Sequence, residues 1–351
     1  MKTWLLLILA LAVAPQGALA DEIWREQSRR VEPAEGLDLV TIDNARGRID
    51  VRPSSDGDLH ITALKIARAP TRAEARQIAR SLVVELQREG RHYVIRVRYP
   101  RESLRVNLWE GFDLSMPHLE MRMMVDVPAS MPIELDASSG DLSTQDMRGE
   151  QRLRASSGDV SVAGAEGPVD VSTSSGDVSL VDSRDARVGT SSGDVQVSGG
   201  ARALSIDTSS GDVSIAEASD SIHVATTSGD VTIGHAQRGA TVATSSGEVH
   251  LRGAAGRLVV HTGSGEIRAR VTAPLRDATL TSASGDIRLG LDPDVGCTLE
   301  MRTSSGSLDL DVPVRTRTMT RRRVTGVVRD GSAPVRLRSA SGNIAVVTGE
   351  P

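Results

Sequence analysis

Through the middle of the chain, branched aliphatic residues alternate with serine, threonine and aspartate in short runs that return at a fixed interval; the clearest copy is Thr173-Ser174-Ser175-Gly176-Asp177-Val178-Ser179-Leu180. A glycine marks each copy, at Gly140, Gly158, Gly176, Gly193, Gly211, Gly229, Gly247, Gly265, Gly285, Gly306 and Gly342, in steps of 18, 18, 17, 18, 18, 18, 18, 20, 21 and 36. Two positions after each glycine stands an aliphatic residue, such as Leu142, Val160, Val178, Val213 or Ile267. Five positions before it stands another, such as Leu135, Leu153, Val171, Ile206 or Leu280. Alternation with period two over so few residues predicts short strands with one face inward. Each repeat therefore reads as two strands joined by a Ser-Ser-Gly turn.

Such a unit cannot bury its own apolar face and must stack on its neighbours, which makes the fold a solenoid. The expected class is all-β: a single-stranded parallel β-helix of about 18 residues per rung, right-handed as parallel crossovers are, preceded by a β-rich cap with one helix. Eleven marker glycines at a parallel-strand spacing of about 4.8 Å give a rod of about 50 Å. The last step is twice eighteen, so a degenerate rung is expected over Gly326 to Pro334, with a final good rung at Val335 to Val347.

Upstream, the expected boundaries are a signal segment over 1–20, a cap over 21–128 and the repeats over 129–351. Asp21 to Gly36 reads as a loose arm. Leu37 to Ile42, Arg48 to Val51 and Leu59 to Ile66 alternate as strands. Thr71-Arg72-Ala73-Glu74 is a capping box opening a helix that ends near Leu82, and a hairpin follows about Glu89-Gly90-Arg91. The stretch Arg101 to His118 reads as a loop in which Trp109 and Phe112 are candidates for docking a partner.

Composition narrows the function classes. Aromatic residues make up 2% of the chain, too few for an ordinary sandwich core but enough for a narrow interior filled by Val, Ile, Leu and Thr. The net charge of −5 gives no reason to invoke nucleic acid. It is unevenly spread: Asp136 to Val249 holds 17 acidic and 7 basic residues, Lys65 to Arg105 holds 11 basic and 4 acidic. Lys2, the apolar run Leu5 to Val13 and Ala18-Leu19-Ala20 read as a secretory signal cleaved after Ala20, which predicts a periplasmic or secreted protein. No later run is long enough to span a membrane. Cys297 is the single cysteine, so no internal disulfide can form.

The residue after each marker glycine is Asp141, Asp159, Asp177, Asp194, Asp212, Asp230, Glu248, Glu266 and Asp286, and then Ser307 and Asn343. In-register stacking lines these carboxylates into a column, where each neighbouring pair repels by about 1 kcal/mol in water and about 3 at an effective dielectric of 20. Bound Ca²⁺ would relieve this, since hard cations collect carboxylate oxygens, and calcium is the only cofactor the pattern suggests. The plainer account has each Asp accept hydrogen bonds from its own turn, and the missing second glycine of calcium rolls favours it. Arg315, Arg317, Arg321, Arg322 and Arg323 interrupt the last repeats and form a candidate site for anionic glycan or lipid headgroups, as well as a blocker of the last strand edge. Gly189-Thr190-Ser191-Ser192-Gly193 matches a nucleophile elbow only because a glycine falls four before a marker glycine; the strand-to-helix setting is missing. His223, His235, His250 and His261 occupy different rung positions and make no metal site.

The Ser-Ser-Gly-Asp-Val repeats, the Val127-Pro128 lead-in, the signal and the closing Ser339-Ala340-Ser341-Gly342-Asn343-Ile344 together resemble the bacterial putative-adhesin family of Ser-Gly-Asp-type β-strand-repeat proteins, which is similar to GIN-type adhesin head domains. The resemblance implies a parallel β-helix exported to the cell envelope, with no catalytic residues to carry over. The expected function is a non-catalytic, adhesin-like interaction or scaffold protein whose partner is an envelope protein or an anionic glycan or lipid headgroup. The alternative is a glycan-active or glycan-binding β-helix of the polysaccharide lyase or hydrolase kind. Self-association through the solenoid ends is a third expectation.

Overall fold

The computed structural model describes residues 22–100 and 118–351. Among them, 29 strands join in one hydrogen-bonded array with a single helix, Arg72–Ser81. The fold is all-β and solenoid-like.

The array runs as two long ladders. In the first, Ile133–Ala137, Gln151–Ala155, Val169–Ser172, Asp185–Thr190, Ala203–Thr208, Ser221–Thr226 and Gly239–Thr244 pair in parallel one after another. In the second, Leu142–Gln145, Val160–Ala163, Val178–Val181, Val195–Ala201, Val213–Ala218 and Val231–Ala236 do the same. The longer strands Val249–Thr262 and Ile267–Ser282 turn the corner and serve both ladders. The register is like on like: Leu153 lies opposite Leu135 and Val171, and Val178 opposite Val160 and Val195. The inward positions named from the alternation are almost all buried, and they form one continuous core.

Why the marker must be glycine follows from the stacking, because its backbone is not in the left-handed region. A Cβ on Gly193 would lie 1.9 Å from the carbonyl oxygen of Gly176, and a Cβ on Gly211 would lie 1.9 Å from that of Gly193. No side chain fits between rungs this close. Three residues earlier, a buried hydroxyl locks the turn: Thr173, Thr190, Thr208, Thr226, Thr244 and Thr262 each accept a hydrogen bond from the N–H of their own marker glycine at 2.9–3.2 Å. Ser282 and Ser339 accept in the same way at 2.7 and 2.8 Å and donate back to the glycine carbonyl of the preceding rung at 3.3 and 3.0 Å. The Ser immediately before the glycine works through its backbone instead, as in Ser192 N–H to Ser174 O at 3.0 Å.

Both ends depart from the sequence reading. The ladders continue upstream of residue 129: Leu39–Asp43 pairs in parallel with Ile133–Ala137, and Ile49–Pro53 with Leu142–Gln145. Gly47 takes the marker's place in the stack, though with a left-handed φ of 99° unlike the others, and its carbonyl oxygen lies 1.7 Å from where a Cβ of Gly140 would sit. The outermost parallel rung at this end is later in sequence, His92–Arg98 with His118–Val127. Val83–Glu89 and Leu59–Ala69 cover it as antiparallel strands. The segment expected to be a loose arm is the edge strand Glu22–Glu32, paired along its whole length with Leu59–Ala69; eleven consecutive backbone partners are gained there, which a free arm would leave to water. The helix begins as its capping box predicts, with Thr71 accepting from the Glu74 N–H at 3.3 Å.

At the other end the order of rungs is again inverted. Ala333–Ser339 and Ile344–Thr348 do not close the rod but lie between Ile267–Ser282 with Ile287–Leu291 and Cys297–Thr303 with Leu308–Asp311. The expected degenerate rung over Gly326 to Pro334 does not exist. Arg323–Val328 runs antiparallel to Cys297–Thr303 and pairs with Arg315–Met319 in a hairpin that closes the first ladder. Thirteen strands thus stack in parallel in the first ladder, giving a length of about 60 Å.

Three outcomes follow. Gly193→Ala should destabilise the protein by about 3 kcal/mol or more, because a buried backbone contact has nowhere to relax, whereas Gly189→Ala, with open space at the Cβ position, should change little; denaturant titration of both separates steric contact from glycine content. Gln151 is fully buried between Ile133 and Val169 in register, and neither its amide nitrogen nor its carbonyl oxygen has a partner among the described residues; Gln151→Val should therefore stabilise by roughly 1–3 kcal/mol in the same titration. Burial pushes the Cys297 thiol up to about 11, so a thiol reagent at neutral pH should label it only after denaturation.

Candidate functional site

The residues after the marker glycines form one column on the exposed edge of the turns, and each turn bonds to the next through it. Asp159 Oδ1 accepts the backbone N–H of Asp177 at 3.0 Å, Asp177 Oδ1 that of Asp194 at 2.9 Å, Asp194 Oδ1 that of Asp212 at 2.9 Å, and Asp212 Oδ1 that of Asp230 at 2.9 Å. Asp141 and Asp230 do the same for Asp159 and Glu248 at 3.3 and 2.8 Å. The acceptors are thus matched to the following rung's turn, not to their own, which corrects the plainer account. Each of these aspartates is held a full rung spacing from the next and takes an N–H dipole, so the repulsion is offset by hydrogen bonding and solvation. Where glutamate replaces aspartate, arginine supplies the counter-charge: Arg268 reaches Glu266 at 2.6 Å and Glu248 at 3.3 Å, and Arg288 reaches Glu266 at 3.1 Å. Asp286 accepts from Asn343 N–H at 2.7 Å, and Asn343 Oδ1 from Ser307 N–H at 2.9 Å. The column therefore follows the inverted spatial order of the last rungs. Among the described residues no three His, Cys, Asp or Glu side chains gather in a way that could hold a metal ion.

Beside the turns, four successive rungs leave a shallow open groove of about 490 Å³. Its floor is Thr173, Thr190, Thr208 and Thr226 with their neighbours, and its walls are hydroxyls such as Ser174, Ser191 and Ser209. Gly189 widens it where other rungs carry Ser172, Asp207 or Ala225. The groove offers many hydroxyl donors and acceptors and one carboxylate, Asp207. The alternation located these positions only as outward polar residues; that they form a depression depends on the small size of residue 189 and its neighbours in adjacent rungs.

The arginines of the last repeats do come together. Arg315 and Arg317 lie on Arg315–Met319, Arg321 and Arg322 in the hairpin turn, and Arg323 on the returning strand. Arg323 pairs with Glu300 at 3.2 Å. Two arginines that sequence spacing did not single out join them: Arg302 lies directly opposite Arg323 on one side and Arg338 on the other. Their grouping arises from the inverted rung order, which no period in the sequence announces. Trp109 and Phe112 lie outside the described residues, as does the whole segment read as a signal. No helix among the described residues is long and apolar enough to cross a membrane.

Comparison with solved structures finds a putative cell adhesion protein from Clostridium sporogenes at 8% identity, covering 93% of this chain and 100% of that one with a TM-score of 0.23. A putative adhesin from Bacteroides fragilis is 12% identical over 76% of this chain and 97% of that one, with a TM-score of 0.36. A putative lipid binding protein from Parabacteroides distasonis is 17% identical over 92% and 96%, with a TM-score of 0.31. Comparison with curated proteins finds no match. The sequence profile of the Toastrack DUF4097 family matches residues 38–241 and 234–347. These two spans take in the first parallel rung at Leu39–Asp43 as well as the inverted rungs at the far end, and the chain belongs to the Toastrack DUF4097 family.

Proposed function

We propose that this chain is a non-catalytic, adhesin-like interaction or scaffold protein of the cell envelope, built as a right-handed parallel β-helix of about 18 residues per rung and similar in plan to GIN-type adhesin heads. The observation that carries this reading is the long face of hydroxyl, amide and carboxylate groups that the stacked turns present at a regular spacing. A regular polar face of this kind suits an extended partner better than a small substrate, because each rung repeats the same contact. The signal reading of Met1 to Ala20 places the mature protein, beginning at Asp21, in the periplasm or outside the cell. No cofactor belongs to this reading, and the carboxylate column serves the turns.

The groove over Ser172 to Thr227 favours one variant of the same role, an anionic or neutral glycan lying along the hydroxyls. Glycan cleavage is the competing reading, and it would need a general base in that groove, for which Asp207 is the one carboxylate present.

Fractionation of a bacterial host expressing the chain should recover it outside the cytoplasm with Asp21 as its first residue; retention in the cytoplasm with residues 1–20 attached would sink the export reading. Incubation with uronate and neutral polysaccharides should release no new chain ends, and any release abolished by Asp207→Asn would instead establish the enzyme. The triple variant Asp177→Asn/Asp194→Asn/Asp212→Asn keeps every Oδ1 acceptor and should melt within a few degrees of the parent, with or without millimolar Ca²⁺. The matching triple Ala variant removes three exposed N–H acceptors and should lose about 1 kcal/mol for each. A calcium-dependent rise in melting point lost in the Asn variant would make the column a metal ladder.

A further inference from the structure

The two ends of the rod are finished differently. At the first end, antiparallel strands cover the outermost rung, and the helix packs on Glu22–Glu32 and Leu59–Ala69 with Ala75 and Ala79 buried. At the second end, only the first ladder is covered, by the hairpin of Arg315–Met319 and Arg323–Val328. The second ladder stops at Leu308–Asp311, with no strand beyond it among the described residues. Leu308 and Leu310 are half-buried, although Ile344 and Val346, their register partners one rung inward, are 0% exposed. Val312 and Val314 are half-buried in the same way. Met319 lies opposite the buried Val324, on the core side of its strand, yet is 72% exposed because nothing stacks on it. The end of the second ladder therefore leaves a short apolar strip, with Met319 exposed to solvent beside it.

Arginine rims that surface. Arg315, Arg317, Arg321 and Arg322 surround Met319 in sequence and are exposed. Arg302 and Arg338 extend the cationic row down the outer side of the first ladder. None of these six forms an ion pair or a side-chain hydrogen bond among the described residues, and the one nearby carboxylate on that ladder, Glu300, is taken by Arg323 at 3.2 Å. Asp309 and Asp311 are exposed on the other ladder's outer side. Arg302 lies directly opposite Arg323 and Arg338, and like charges placed so cost stability, a cost that an anionic partner would relieve.

We infer that this end of the rod docks on an anionic phospholipid bilayer, the arginines binding headgroup phosphates while Met319 and the end-rung aliphatics enter the interface. The combination decides the occupant. A soluble polyanion would use the arginines but leave the apolar end in water, and a second copy meeting end to end would bring two arginine rims together. An anionic leaflet satisfies both features, since each arginine near its surface contributes about a fivefold gain in binding and apolar side chains partition into the interface. The inference deepens the envelope reading and rests on it only for where such a membrane would be met; the vesicle experiment below is independent of export.

The test is co-sedimentation of the purified chain with vesicles of phosphatidylcholine containing 30% phosphatidylglycerol, and with phosphatidylcholine alone, at about 100 mM salt. Expected are binding to the anionic vesicles at least tenfold tighter than to the neutral ones, a loss on the order of 100-fold in Arg317→Gln/Arg321→Gln/Arg322→Gln, and about a fivefold loss in Met319→Ser at unchanged charge. A variant of equal charge at the other end, Arg25→Gln/Arg29→Gln/Arg68→Gln, should bind like the parent. All four substituted residues of the hairpin are exposed, so melting points should match and exclude misfolding. Equal binding to both vesicles, or equal losses in the two arginine variants, would overturn the docking site. Parental binding by Met319→Ser together with displacement by dextran sulfate would reassign the rim to a soluble polyanion. A concentration-dependent dimer in ultracentrifugation, lost in Met319→Ser, would reassign it to self-association.

Discussion

The structure depends on one close approach, that of each marker glycine to the carbonyl of the glycine one rung away. With 1.7–2.1 Å between that oxygen and the position a Cβ would take, any side chain there would force the rungs apart and break both ladders at once. The rest of the turn is fitted to this contact. The threonine three residues earlier satisfies the glycine N–H from inside, and the aspartate one residue later satisfies the next rung's N–H from outside. Buried and exposed side-chain acceptors thus take the two donors that the serine backbone bonds between turns leave over, as buried backbone groups require.

The same contact records the path of the chain. In order of approach the glycines run from Gly47 to Gly140, up the repeats to Gly285, then to Gly342 and only afterwards to Gly306. At each end a rung is bypassed and then filled from a different part of the sequence, so the outermost rung is never the terminal one in sequence. An inverted end of this kind holds the terminal segment on both sides: Ala333–Ser339 has parallel partners above and below, where a terminal rung would have only one. It also leaves the outermost rung to be covered by antiparallel strands, which is one way a solenoid disposes of its open edges. At the second end that cover is incomplete, and the chemistry left exposed there, apolar within and cationic around, differs from the polar flank of the rod.

The column that most resembled a binding site is also part of the turn. Stacking in register lines up any exposed residue type, whether or not it binds anything. In this column the first oxygen of most of the carboxylates is engaged by the next turn, so only the second is left over for any other partner.

The period, the two strands per repeat, the inward positions from Leu135 to Leu337, the helix at its capping box and the hairpin about Gly90 were all legible in the residues, because alternation and capping act within a few positions of one another. The recurring Thr or Ser from Thr173 to Ser339 was legible too, as a polar residue of inward parity, although its bond to the glycine N–H needed the turn geometry. What the residues could not determine was which rung lies on which. Every rung offers its neighbours the same aliphatic positions in the same register, so Val335 and Leu337 fit against Ala278 and Leu280 as well as any other rung would. Only the tertiary structure decides, through the reach of the connection between Leu308–Asp311 and Ala333–Ser339, which is long enough to make a hairpin and bring the chain back into the gap. The arginine rim and the exposed Met319 are consequences of that choice, and like the pairing of Glu22–Glu32 with Leu59–Ala69 it is made between residues far apart in sequence and is therefore invisible to any local pattern.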